Sequence, residues 1–353
     1  MADNPISLLA ENTSPASNDL IATVDVSDTT QSANGTNKKM LMSKLLLAAN
    51  NLSDLANTGT ARTNLELGTG ALASASPIQC GRLTLTTGVP VTTTDVTAAS
   101  TIYYTPHIGD VISLYDGTTW TPQVFTELSR TLGSLTSGKN YDVVVYLNSG
   151  TLTLDLMPAW TDDTTRASAI SLQNGVYVNT SSFTSVRAGH SVSAGRAIVV
   201  GTIRTTGTST TEDAVAKRFC ANSRNTVKKL LYRTSSTNHT YSSTTVRPWN
   251  NDSTMCVEWV NCFGHNTNTF HLLGRLSIPA TGSSWAQTGM ATVSNGCWVT
   301  IGGYGINLQS GVSWTLAAPD TGPGYRIVYI TQYATGSGNT TYYFATAQSE
   351  LLA

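Results

Sequence analysis

The chain has 353 residues, a formal net charge of -1 and only 12% charged residues, about half the ~25% usual in soluble domains. Near-neutrality excludes a dedicated nucleic-acid binder, because neutralising phosphates requires a basic excess. With so few charges the surface must be built from other polar groups. The 57 threonines point to exposed β-structure, since a β-branched side chain suits a pleated surface and keeps a hydroxyl for water.

The segment after Met1 lacks a basic n-region and a sustained apolar core, so no secretory signal is expected. No run approaches the ~18 apolar residues of a membrane span. DLIATVDVSD, with Ile21, Val24 and Val26 apolar among polar neighbours, predicts a short strand ending in the turn-rich SANGTNKK. In KKMLMSKLLLAANN, Leu41, Leu45 and Ala49 recur four apart beside Met42 and Leu46, which predicts a helix stopped at Asn50 and Asn51. NLSDLANTGTARTNLELGTGALAS then holds two brief helical signals, each shorter than the ~12 residues an isolated helix needs in water. Identical copies side by side supply the missing neighbours, which is the physical case for an oligomeric stalk over residues 51–80.

From residue 81 the pattern has period two. RLTLTTG, STIYYTPH, DVISLYDGTTW, YDVVVYLNSG, TLTLDLMP and RAIVVGTIRTT are short alternating runs. Turn signals separate them at Asp116-Gly117, Ser137-Gly138, Asn148-Ser149-Gly150 and Asn174-Gly175. TEDAVAKRF reads as a brief helical turn. Residues 81–222 are therefore expected to form one antiparallel β-domain or a pair. Residues 223–353 hold seven further runs, from NTVKKLLYRT and STMCVEWVNC through FHLLGRLSIP, CWVTIGGYGI and VSWTLAAP to YRIVYITQY and TTYYFATAQ. These predict a β-sandwich or jelly roll. The fold class expected is thus mainly β, with an N-terminal strand and helix. The cysteines, Cys80, Cys220, Cys256, Cys262 and Cys297, are odd in number and irregular in spacing, which predicts reduced, buried thiols.

Catalysis finds little to build on. A polysaccharide-cutting pair needs two carboxylates ~5–10 Å apart, and the candidates are Asp162 and Asp163, with Asp155 or Glu258. Adjacent residues on a strand point to opposite faces; in a turn they cap N–H groups or pair with Arg166, and that structural role is the expected one. Cys256, Cys262, His265 and His271 follow C-x5-C-x2-H-x5-H, not the spacing of a zinc knuckle, so no metal site is assigned. Nucleophile elbow and phosphate loop are both lacking. No catalytic residue and no cofactor are assigned, and the expected class is non-enzymatic. Binding remains. Trp249 in RPWNND and Trp285 in GSSWAQ stand in turn-rich stretches, where an exposed tryptophan argues for a contact. Trp314 and Tyr304 join them as candidate platforms for sugar rings. Aromatics inside alternating runs, such as Tyr325 and Tyr329, fill a core instead.

NLSDLANTGTARTNLELGTGALAS resembles the linker that recurs in tail-fibre proteins of tailed bacteriophages, with LSDL, ARTNL and GTGALA in order. DLIATVDVSDTTQSANGTNKKMLMSKLL is similar to N-terminal segments of phage appendage proteins that attach to the particle. The series from GRLTLTTGVPVTTTDV to GTIRTT resembles a domain common in phage structural proteins. Together these cover residues 1–222; the last third carries no such resemblance. The resemblance implies a virion location, on the tail or another surface appendage. It implies that residues 1–50 dock onto other virion proteins through Ile21, Val24, Val26, Leu41, Leu45 and Leu46, that 51–80 form a stalk, and that β-domains over 81–222 and 223–353 project outward. It also implies a homotrimer that meets a host surface glycan or outer-membrane receptor, without nucleic acid and without membrane insertion. A capsid-decorating fibre with no receptor role and a polysaccharide depolymerase are the alternative readings.

Overall fold

The computed structural model describes residues 20–41, 57, 60, 77–264, 269–277, 285–291, 296–302, 307–315, 322–335 and 340–352. Strands dominate them, nearly all antiparallel, as the composition leads one to expect. The chain divides into two compact units, residues 1–73 and 74–353.

In the first unit Leu20–Asp25 pairs antiparallel with Thr36–Leu41, in register from Leu20 opposite Leu41 to Asp25 opposite Thr36. The connecting loop is set by aspartates. Asp25 accepts from the N–H and hydroxyl of Ser27, Asp28 accepts from those of Thr30, and Lys38 pairs with Asp28 at 2.6 Å. The expected helix is not seen where it was to begin: Lys38 to Leu41 are strand, and residues 42–50 lie outside the described residues. The alternating run at residues 20–25 needs a ladder partner, and six paired residues override the helical preference of Lys-Lys-Met-Leu.

The second unit is built around Asn140–Asn148, flanked by Thr151–Leu156 on one side and Ile198–Arg204 on the other in a six-stranded sheet. This strand reads as continuous apolar sequence because both its faces are covered. Tyr141, Val143 and Val145 enter one core while Val144 and Tyr146 enter another, as a period of two requires. In Ile198–Arg204 a bulge between Val199 and Gly201 breaks that alternation, so Ile198 and Ile203 face the same core. A Cβ at Gly201 would lie 2.3 Å from the Ala221 carbonyl oxygen, so only glycine fits there. A three-stranded sheet of Gly81–Thr84, Thr101–Pro106 and Leu128–Thr131 and the hairpin Val111–Tyr115/Trp120–Val124 complete this region. The hairpin turns at Asp116-Gly117, as the sequence signals.

TEDAVAKRF forms a hairpin, Thr211–Ala214 with Lys217–Arg218, rather than a helical turn. Asp213 is buried there between Arg218 and Lys229, so ion pairing across segments overrides local helix preference. Lys217–Arg218 also runs parallel to Cys256–Asn261, which carries an eight-stranded sheet across the boundary expected at residue 222. All seven runs expected in the last third form strands. Trp285–Ala291 is an additional one, in a stretch that reads as turn. A five-stranded sheet is centred on Thr340–Leu352, which pairs with Lys228–Ser235 and Thr269–Ser277.

Candidate functional site

The acidic residues weighed for catalysis are engaged in structure. Asp162 lies in a turn and accepts from the backbone N–H groups of Thr164 and Thr165 at 2.8 and 2.7 Å, led by Thr164 in holding its pKa below 3.8. Asp163 pairs with Arg204 at 2.7 Å. Asp155 is fully buried and accepts from the N–H groups of Arg187 and Ala188 at 3.1 and 2.8 Å. Glu258 lies 3.4 Å from Lys217 and accepts the Tyr325 hydroxyl. The partner of Arg166 is not its own turn but Asp142. Its Nε donates to Asp142 Oδ2 at 2.7 Å, its Nη2 to the Cys262 carbonyl at 2.6 Å, and the guanidinium stacks 4.2 Å above Trp160. Asp142 also accepts Trp160 Nε1 and the Thr202 hydroxyl. This buried cluster joins the 160–166 turn to two strands of the six-stranded sheet and to the segment after Asn261. No periodicity signals it.

Cys256 opens the strand Cys256–Asn261 and Cys262 follows its end, both buried and both pushed up to about 12 by burial. His271 is exposed and His265 lies outside the described residues. Among the described residues no group of three His, Cys, Asp or Glu is placed to hold a metal. Cys80, Cys220, Cys256 and Cys262 are free thiols.

The aromatic candidates separate. Trp249 is a correction: it is 0% exposed, within a single 3-10 turn Trp249–Asn251, edge-on to His239 and Tyr342 with ring centroids 5.2 and 5.1 Å away. His239 and Tyr342 stack at 5.2 Å, and both His239 and the Asn250 N–H bond Gln332. The polar spelling RPWNND describes the rim of this turn, while the indole fills the core and is closed to a ligand. Trp285 opens a strand, opposite Gly302, and Trp314 lies in Asn307–Thr315 opposite Phe270. Tyr304 lies outside the described residues. Of the docking candidates, Val24 and Val26 are 58% and 75% exposed, Ile21 is half-buried, and Leu41 closes the ladder; Leu45 and Leu46 lie outside the described residues.

A site that sequence reading missed is an open cleft of about 390 Å³ between the Val111–Val124 hairpin and the 190–196 loop. The hairpin brings Tyr115, Asp116 and Gln123, and the facing loop brings His190, Ser193 and Arg196. Its floor is fixed. Tyr146 is buried, donates its hydroxyl to Ser185 at 3.1 Å, and stacks on His190 at 5.7 Å with 4° between the rings. Asp116 is spent in part on its own turn, accepting from the N–H groups of Thr119 and Thr118 at 2.7 and 2.8 Å. These bonds hold its pKa below 3.8. Arg196 lies over Gly117, whose φ of +96° is open to glycine, and reaches the Tyr115 carbonyl at 3.5 Å. Among the described residues no carboxylate is within ion-pair distance of it. The two sides are far apart in the chain, Tyr115 and Arg196 by 81 positions, so only tertiary pairing assembles them.

The sequence matches no family model and no curated protein. Among solved structures, the Gx strain of infectious bursal disease virus aligns with a TM-score of 0.27 and 8% identity, over 74% of this chain and 74% of that one. T=1 particles derived from infectious bursal virus align at 0.27 and 9%, over 68% of this chain and 61% of theirs. Dimeric latent PorU from Porphyromonas gingivalis aligns at 0.26 and 7%, over 61% of this chain and 22% of its own. The chain thus spans less than two thirds of the PorU chain and of the T=1 particle chain. Scores at this level assign neither fold family nor function.

Proposed function

We propose that this chain is a structural fibre protein of a tailed phage virion, a tail fibre that contributes to host-surface recognition by binding rather than by catalysis. The observation that carries the reading is the linker-like segment NLSDLANTGTARTNLELGTGALAS at residues 51–74, whose end coincides with the end of the first compact unit at Ala73. The charge-poor, threonine-rich antiparallel framework suits an exposed virion component. The exposed Val24 and Val26 give the first hairpin an apolar edge for a virion partner. The engagement of Asp155, Asp162, Asp163 and Glu258 in caps and ion pairs favours adhesion over sugar hydrolysis. Three copies on one stalk turn a weak site into an avid one through effective concentration.

The test locates the chain on intact particles with gold-labelled antibody and measures whether the purified full chain competes with particles for adsorption to host cells. Label at the tail and slowed adsorption are expected. Label on the capsid with unchanged adsorption transfers the chain to the decorating-fibre reading, and unlabelled particles overturn the proposal.

A further inference from the structure

We infer that the cleft between the Val111–Val124 hairpin and the 190–196 loop is a binding site for a neutral sugar residue. The inference deepens the adsorption reading above by naming a ligand class and a place. Four features of the cleft carry it.

Its volume of about 390 Å³ lies at the lower end of the ~300–1,000 Å³ typical of small-ligand clefts, so it takes a ring or two rather than a folded partner. Its charge is balanced. Arg196 brings one positive group and Asp116 one negative, which favours a ligand without net charge. Its polar atoms are mixed in kind. The Arg196 guanidinium donates, the Asp116 carboxylate accepts, and Gln123 and Ser193 do both, the set that adjacent ring hydroxyls need. Its aromatic surface offers a plane for the apolar C–H face of a pyranose: His190 is held flat by its stack on the buried Tyr146, and Tyr115 is tilted against Trp120 with centroids 5.2 Å apart.

The walls are also rigid before any ligand arrives. The Asp116 turn is closed by two backbone bonds and by the hydroxyl of Thr119 at 2.9 Å. The opposite loop is pinned where the Asn179 side chain donates to the Ser193 carbonyl at 2.8 Å and accepts the Ala197 N–H at 2.9 Å. Little conformational entropy is then lost on binding, which matters most for a weak ligand.

The experiment uses saturation-transfer NMR on the purified full chain, with the methyl glycosides of glucose, galactose, mannose and N-acetylglucosamine as probes. At least one should bind. Binding should weaken ~10-fold or more in Arg196→Ala, the scale of losing a charge-assisted hydrogen bond. It should vanish in Ser193→Trp, which fills the cleft from an exposed position, and persist in Leu172→Ser, which lies outside it. Circular dichroism establishes that each variant is folded. If no probe binds, or if binding survives both Arg196→Ala and Ser193→Trp, the site assignment fails. A chain that competes for adsorption but binds no probe keeps the fibre reading and loses the cleft. Arg196-dependent binding by a chain that labels no particle keeps the cleft and loses the fibre.

Discussion

Residues 81–222 and 223–353 belong to one compact unit and differ in the length of their backbone ladders. In the first region the longest strand has nine residues, and buried polar side chains reach from one segment to another. Asn222 accepts the Leu83 N–H at 2.6 Å and donates to the Leu83 carbonyl at 3.0 Å, standing in for a missing ladder pair. Asp142 gathers Trp160, Arg166 and Thr202. In the second region the described ladders are longer, and buried cross-links such as Gln332 with His239 and the Asn250 N–H accompany them. Thr340–Leu352 has thirteen residues and is paired along eight of them with Lys228–Ser235. Ladders follow from alternation, which a sequence displays, whereas cross-links between distant segments leave no periodic mark.

The largest expected effect breaks this comparison at its polar end. Asp142→Ala strands a mostly buried guanidinium beside Trp160, and removing one partner of a buried pair costs ~3–5 kcal/mol. Urea unfolding of the intact chain measures it. The double variant Asp142→Leu/Arg166→Met should recover much of the loss, because no lone charge then remains buried. Trp249→Ala, in the second region, should cost a similar ~3–5 kcal/mol through the cavity it leaves. There Trp249→Phe should recover part of the loss, by refilling volume rather than by removing a charge. Equal behaviour of the two sites under apolar replacement would erase the distinction.

The same contrast explains what the sequence made legible. The hairpin at Asp116-Gly117, the tight turns at Ser149-Gly150 and Asn174-Gly175, and the seven distal runs were all readable, because each is a local statement about φ or about alternation. The helix expected over KKMLMSKLLLAANN was lost at its start because Lys38 pairs with Thr23, 15 residues upstream and beyond local reach. Trp249 misled because its neighbours are polar while its own ring is enclosed by His239 and Tyr342. The cleft was invisible because Tyr115, Gln123, His190 and Arg196 share no motif and meet only when the hairpin and the loop are folded.

Acid should sharpen the comparison at intermediate size. Asp116 and Asp162 in the first region are held below 3.8, chiefly by the backbone N–H groups of Thr119 and Thr164. Glu127 is raised by burial but lowered further by Thr105, Thr87 and Gly88, so its net shift is also downward. In the second region, among the described residues, Asp252 is lowered by Thr254. A carboxylate depressed in the folded state contributes stability above its unfolded pKa and loses it as pH falls through the folded value. Turns at 116–119, 162–165 and 87–88 should therefore lose hydrogen-exchange protection as pH falls below about 4. Glu212 runs the other way: burial raises its pKa, so its protonation on acidification relieves a penalty. Loss of protection along Thr340–Leu352 before these turns would contradict the assignment.

The smallest effect concerns a turn at the edge of the first region. Asn174 and Gly175 have φ of +48° and +88° and join Ile170–Gln173 to Val176–Asn179, at the margin of the six-stranded sheet. Gly175→Ala places a Cβ in left-handed backbone and should cost ~1–2 kcal/mol. In a chain of this size that lowers Tm by only ~2–4 °C for each kcal/mol. Ile170–Gln173 is terminal in its sheet, and its partner Val176–Asn179 joins the pair to the rest through Val178 opposite Ile198. Hydrogen exchange should therefore quicken over 170–179 while Asn140–Asn148 stays protected. If instead Gly175→Ala destabilised the unit as much as Asp142→Ala, the region would be held by its turns, and the buried cross-links would be accessories to them.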